Sequence, residues 1–176
     1  MRKIIYYVAV SLDGFISGPD GDISGFNGEG NGVDKYFADL ADYDTVIMGR
    51  KTYEFGYKFG LKAGQLAYPH MEHYIFSGNL TFENPDPKLH VKPIHIGEIE
   101  KIRRQDGTDI YLCGGGQFAG WLLDHGQIDL LKIKLNPLVL GQGVRLFGNS
   151  KKDFKLELLK AEEYDYGLQI MSYRIR

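Results

Sequence analysis

The chain has 176 residues, enough for one domain with a sizeable core. Hydrophobic residues make up 43% and charged residues 25%; the net charge is −2 with both signs interspersed, which argues against a nucleic-acid-binding chain. The one cysteine, Cys113, excludes an intrachain disulfide framework and fits a reducing compartment, and no apolar run approaches the ~20 residues of a membrane span. A single soluble, cytoplasmic domain over residues 1–176 is the expectation.

The first apolar run, Ile4 to Val10, is bounded by Ser11 and Asp13 with no small-residue cleavage site after it. It reads as a buried strand (about 3–10) rather than a signal peptide. Asp13 with Gly14 is a turn dipeptide, and Asp13 is either that turn's residue or an active-site acid. The Gly-rich stretch 18–32, "GPDGDISGFNGEGNG", is a long loop of the kind that carries function. A helix over about 32–42 puts Val33, Tyr36, Phe37 and Leu40 on one stripe. Asp34 falls at its edge, where partial desolvation would raise its pKa and suit it to proton transfer. The plainer reading is a first-turn carboxylate favoured by the helix dipole.

"DTVIMGRKTYEFG" gives a strand (about 44–48), a turn at Gly49 and a helix (about 51–56). Arg50, Lys51 and Thr52 form either a phosphate site or a solvated basic turn with Thr52 as a cap. A strand over about 73–76 follows. His70 and His73 have H-x-x-H spacing, but the second starts that strand, so they read as ordinary histidines and no metal site is expected. A strand at about 91–96 and a helix at about 98–105 come next.

"YLCGGGQFAGWLLDHG" gives a strand (about 109–113), three glycines and a helix (about 117–125). Gly114, Gly115 and Gly116, with the N–H groups of Gln117 and Phe118, offer a helix N-terminus to an anion. The alternative is a tight packing turn without a ligand. Strands at about 128–136, 154–161 and 167–175 close the chain. "IDLLKIKLNP" alternates, with Lys132 and Lys134 opposite Leu131, Ile133 and Leu135, and no helix separates the last two strands. The sum is an α/β fold: a mixed, mainly parallel sheet of about eight strands, antiparallel at the C-terminal end, with flanking helices. Two strand-to-helix anion sites in one such sheet suit a dinucleotide.

Taken in order, "VSLDGFIS", "VIMGRKTYE", "FSGN" and "YLCGGGQF" resemble the dihydrofolate reductase-like superfamily, a three-layer fold. "SLDG" and "NPLVLGQGVRLF" shift the resemblance toward the reductase domain of riboflavin biosynthesis and its stand-alone relatives. The resemblance spans about residues 3–148. It implies NADPH as cofactor: Gly49, Arg50, Lys51 and Thr52 at its phosphates, Ser77 and Gly78 on the adenosine side, Gly114 to Phe118 at the pyrophosphate and ribose, and Ile16 over the nicotinamide. It implies Asp34 or Asp13 as the catalytic acid and a homodimer through the C-terminal strands. The implied reaction is hydride transfer to a C=N bond of a pterin- or pyrimidine-like heterocycle. A pyrimidine reductase of riboflavin biosynthesis and a nucleotide-binding protein without turnover are the alternatives. The loop lacks the Pro–Trp pair of dihydrofolate reductases, and 60–76 holds Lys62 but no Arg, which points away from dihydrofolate.

Overall fold

A computed structural model describes residues 1–176. In chain order the elements are β1 (Ile4–Ser11), β2 (Phe15–Ser17), α1 (Asn31–Leu40), β3 (Thr45–Gly49), α2 (Arg50–Phe55), β4 (Glu72–Phe76), β5 (Leu89–Lys92), α3 (Ile96–Arg104), β6 (Ile110–Cys113), α4 (Gly116–Asp124), β7 (Leu130–Asn136), β8 (Val144–Arg145), β9 (Leu156–Glu163) and β10 (Gln169–Ile175). Eight strands form one sheet in the order β5-β4-β3-β6-β1-β7-β10-β9, and β2 pairs with β8 in a small second one. Every pairing from β5 to β7 is parallel; β10 runs antiparallel to both β7 and β9.

Apolar runs became the central strands because both of their faces are covered. One core lies under α3 and α4, joining Ile4, Tyr6, Ile47 and Leu112 to Ile99, Ile102, Phe118 and Leu122. The other lies under α1 and α2, joining Ile5, Tyr7, Val46, Met48 and Tyr111 to Leu40 and Tyr53. Successive residues of a strand point to opposite faces, so each central strand feeds both cores. No helix is long and apolar enough to cross a membrane.

Two expectations change, and two short strands are added. The strand expected at 91–96 ends at Lys92, because the His95 ring accepts the Gly97 N–H at 3.1 Å and caps α3. Strand β7 was grouped with the antiparallel end, yet it pairs with β1 in parallel, since α4 supplies the crossover between β6 and β7. Strands β2 and β8 are too short for alternation to reveal them.

Candidate functional site

The parallel strands finish along one edge. In register, Gly49 of β3 stands beside Phe76 of β4, so Ser77 follows at that edge; Ser11 of β1 stands beside Asn136 of β7. In such sheets ligands occupy the crevice outside the carboxyl ends. Strands β3 and β6 are paired neighbours, which brings the "GRKT" turn against the triple glycine. A cavity of about 510 Å³ lies at the opposite edge, among Lys3, Asp129 and Arg174, away from both turns.

Gly114 and Gly115 hold left-handed backbone, at φ 47° and 78°. A Cβ on Gly115 would stand 2.5 Å from Thr52 Oγ1, and one on Gly114 3.3 Å from Thr52 Cγ2. A Cβ on Gly116 would fall 2.1 Å from the Arg145 carbonyl oxygen. The space the glycines leave is therefore filled by protein: Thr52 and the chain at 145–148. No side chain caps the start of α4, and the N–H groups of Gly116, Gln117 and Phe118 stand ahead of its first internal bond, Ala119 N–H to Gly115 O at 3.0 Å. Gln117 is exposed, while the Phe118 ring is buried against Phe76 with centroids 5.0 Å apart.

Arg50 is half-exposed and donates to Glu54 Oε1 and to Asn79 Oδ1, each at 2.8 Å. Ser77 is buried; its hydroxyl oxygen accepts the N–H groups of Asn79 (3.3 Å) and Leu80 (3.1 Å). Asn79 thus joins the "GRKT" and "FSGN" turns, and Gly78 between them has open space around it. Lys51 is exposed and makes no ion pair. Thr52 does not cap α2, whose N-cap is Gly49. Ile16 lies on β2 and packs against the α3/α4 core.

The two candidate acids lie in unlike surroundings. Asp34 sits in the first turn of α1, but its side chain is on the solvent face, beside Phe37, which is 61% exposed. The helix buried Val33 and Leu40 of the expected stripe but left Phe37 outside, and Asp34 lies in solvent with it. Asp13 is a clamp. It accepts the Ser11 hydroxyl at 2.6 Å and the N–H groups of Leu140 and Gly141 at 3.1 and 2.7 Å. The Ser11 bond foremost, helped by the Gly141 and Leu140 bonds, holds its carboxyl below the usual carboxylate range against the opposing effect of burial, which is second only to the Ser11 bond. Asp13→Ala is expected to speed amide exchange at Leu140 and Gly141 about tenfold, read by NMR; unchanged protection there would remove the clamp.

A polar cluster under α1 was not singled out from the sequence. The Tyr36 and Tyr111 hydroxyls lie 2.6 Å apart, and the Tyr68 hydroxyl lies 3.5 Å from Cys113 Sγ. Asp39 accepts the Tyr7 hydroxyl (3.1 Å), the Lys132 ammonium (2.5 Å) and the Lys35 ammonium. Burial works to raise the Asp39 carboxyl, but these donors outweigh it and keep it below the usual range. Lys134 is buried, 8% exposed, with its ammonium 4.4 Å from the centre of the Tyr36 ring. Burial pulls its pKa below the usual lysine range. The only sequence signal was the alternation of "LKIKLN".

The Gly-rich loop reaches across this edge. Lys58 Nζ donates to the Asp20 carbonyl at 3.0 Å on the α2 side, and the Asn27 N–H donates to Asn136 Oδ1 at 2.9 Å on the β7 side. His70 and His73 bond separate backbone groups, Leu40 O and Met71 O, at 3.0 Å each.

The profile of the RibD C-terminal domain family matches residues 97–170. The uncharacterised protein YwjB of Bacillus subtilis is 31% identical over 178 residues, covering 96% of each chain. Among solved structures, a putative riboflavin biosynthesis protein from Shewanella sp. PV-4 superposes with TM-score 0.82 at 23% identity, covering 100% of this chain and 99% of that one. A diaminohydroxyphosphoribosylaminopyrimidine deaminase/5-amino-6-(5-phosphoribosylamino)uracil reductase from Thermotoga maritima gives 0.70 at 18% identity, over 99% of this chain and 57% of that one. Dihydrofolate reductase from Enterococcus faecalis, complexed with NADP(H), gives 0.66 at 15% identity, over 99% and 96%.

Proposed function

We propose that this chain, which belongs to the RibD C-terminal domain family and has the dihydrofolate reductase-like fold, is an NADPH-dependent reductase of a C=N bond in a pterin- or pyrimidine-like heterocycle. The observation that carries the reading is the meeting of two strand-to-helix turns at the carboxyl edge of β3 and β6. The residues present suit the cofactor. The start of α4 offers uncapped N–H groups to a pyrophosphate. Lys51 has no ion pair to give up, and Arg50 holds only an exposed one, worth about 0–1 kcal/mol, so turning to a phosphate costs little. The open side of Gly78 leaves room for the adenosine. When bound, NADPH supplies the hydride; the protein positions the heterocycle, excludes water under the Gly-rich loop and provides the proton.

The test is cofactor binding followed by turnover. The double variant Arg50→Ala/Lys51→Ala is expected to weaken NADPH about 10–100-fold, by loss of charge-assisted bonds to the 2′-phosphate, and to leave NADH within about twofold. Equal effects on both cofactors, or none, would remove the phosphate role. Turnover is assayed as NADPH oxidation with dihydropterins, dihydrofolate and 5-amino-6-(5-phosphoribosylamino)uracil, the substrate named for the Thermotoga protein.

A second reading, a nucleotide-binding protein without turnover, draws on the exposure of Asp34 and the engagement of Asp13. NADPH binding with no oxidation on any of these compounds is its signature. We assign the protein to the cytoplasm, consistent with its free Cys113. Edge strand β9 exposes Leu156, Leu158 and Leu159, the face proposed for a homodimer, which light scattering checks.

A further inference from the structure

We propose that Lys134 is the proton donor of the site, delivering its Nζ proton to the nitrogen of the C=N bond as the carbon is reduced. The inference rests on the reductase reading and deepens it. Adding a hydride to the carbon of a C=N bond sends the π pair to nitrogen, which must take a proton. The new bonds are C–H and N–H, the bond broken at the protein is Nζ–H, and the lysine amine then regains a proton from water.

Three observations point to Lys134. The first is place. Ala9 of β1 pairs with Lys134, two residues past Tyr7, which pairs with Cys113 of β6. Lys134 therefore stands level with Gly115 of the glycine turn, two strand spacings (~10 Å) across the sheet. It lies on the α1 face, under the end of the loop that Asn136 ties down.

The second is the fate of every other titratable group around it. On α1, Tyr36 is bonded to Tyr111 and Asp39 is held by Lys35, Lys132 and Tyr7, while Asp34 is exposed. On β1, Tyr7 donates to Asp39; on β7, Lys132 does the same. On β6, Cys113 is engaged by Tyr68, and burial pushes its thiol up. On β10, Ile170 beside Lys134 has no polar group, and Glu162 beyond it on β9 pairs with Lys160. The Lys134 ammonium, on a buried residue, has no hydrogen-bond partner in the protein and no carboxylate in ion-pair reach, only the Tyr36 ring face. The residue as a whole is buried, and an ammonium on a mostly desolvated side chain with no anion beside it favours release of its proton.

The third is a companion. The side-chain nitrogen of Asn27, in the loop, is buried without a partner. Asn136 donates to the Lys134 main-chain carbonyl and accepts the Asn27 main-chain N–H, so one buried amide ties together the two backbone segments that carry these donors. Two free donors under one loop suit a ligand with acceptor atoms, as the ring nitrogens and carbonyls of a pterin or pyrimidine are.

The variants are Lys134→Met and Lys134→Arg, assayed by single-turnover NADPH oxidation on whichever compound of the panel the wild type reduces. Both are expected to slow the step about 100-fold or more, since Met holds no proton and Arg does not release one. The wild-type rate falls as pH rises through the Lys134 pKa, and that limb disappears in both variants. Apart from turnover, NMR titration of isotope-labelled lysine side chains in the cofactor-free protein should show one ammonium titrating below the rest, missing in Lys134→Arg. Melting separates chemistry from folding: Lys134→Met should keep or raise the melting temperature, because it removes a buried unpaired charge. Wild-type rates and pH profile in both variants, or Lys134 titrating with the exposed lysines, would overturn the proposal and leave the reductase reading standing. A wild type that neither binds NADPH nor oxidises it with any panel compound overturns that reading, and this one with it.

Discussion

Gly116→Ala is expected to destabilise the protein by about 3 kcal/mol, the upper end of the usual overpacking range. The added Cβ would fall 2.1 Å from the Arg145 carbonyl oxygen and 3.0 Å from the Gly148 nitrogen. Both are backbone atoms tied to one another, since the Gly148 N–H donates to Arg145 O at 3.0 Å, so neither can swing away as a side chain would. For a chain of this size that corresponds to a melting temperature lower by about 6–12 °C. Two controls separate sterics from backbone strain. Gly126 has φ 65° and nothing near its missing Cβ, so Gly126→Ala costs only the left-handed strain, about 1–2 kcal/mol. Gly78→Ala, with open space and no such φ, should be near neutral. If Gly116→Ala melts with Gly78→Ala, the close approach of α4 to residues 145–148 is wrong. The uncapped N–H groups at the start of α4 move with this contact, so NADPH affinity should fall together with stability.

Arg103→Met is expected to cost about 2–4 kcal/mol. From α3, Arg103 donates to the Arg2 carbonyl at 3.1 Å, to Gln127 Oε1 at 2.9 Å and to both oxygens of Asp129 at 3.1 and 2.9 Å. Asp129 also accepts the Ile4 N–H at 2.8 Å, so one fork fixes α3 and the starts of β1 and β7 together. The Arg103 side chain is 9% exposed and that of Asp129 33%, which places the loss below that of a fully buried pair. Lys at this position keeps the charge but not the planar fork, and should recover little. Pairing Arg103→Met with Asp129→Asn should be less costly than the sum of the two singles, because the carboxylate left behind is part of the loss. Denaturant midpoints decide it; a loss under about 1 kcal/mol for Arg103→Met would mean the network is a surface feature.

Sequence reading went furthest where local chemistry sets the outcome. Continuous apolar runs such as "IIYYVAV" marked strands covered on both sides, and the 3.6-residue spacing of Phe118, Trp121 and Leu122 marked α4. It went less far where a residue's surroundings come from distant chain. Asp34 lay at the edge of an apolar stripe by spacing; Val33 and Leu40 of that stripe are buried, but α1 settled with Phe37 outside and Asp34 in solvent beside it. Lys134 read as the polar side of an alternating strand, and it is buried because β7 lies inside the sheet, between β1 and β10, with α1 over that face.

By itself, then, the sequence determined the order of the eight main-sheet strands and the helices and the two turns at Gly49 and Gly114 to Gly116, since periodicity and, at Gly114 and Gly115, the freedom of glycine act within a few residues. Tertiary structure decided that those turns are neighbours, through the pairing of β3 with β6, and that Thr52 and residues 145–148 fill the space beside the glycines. It also decided which charged groups are buried. Asp13 found the loop at 140–141, Asp39 found Lys132, and Lys134 found no anion. Burial and partnership depend on which strands the sheet sets side by side and which face a helix covers, and those are long-range contacts that no local spacing encodes.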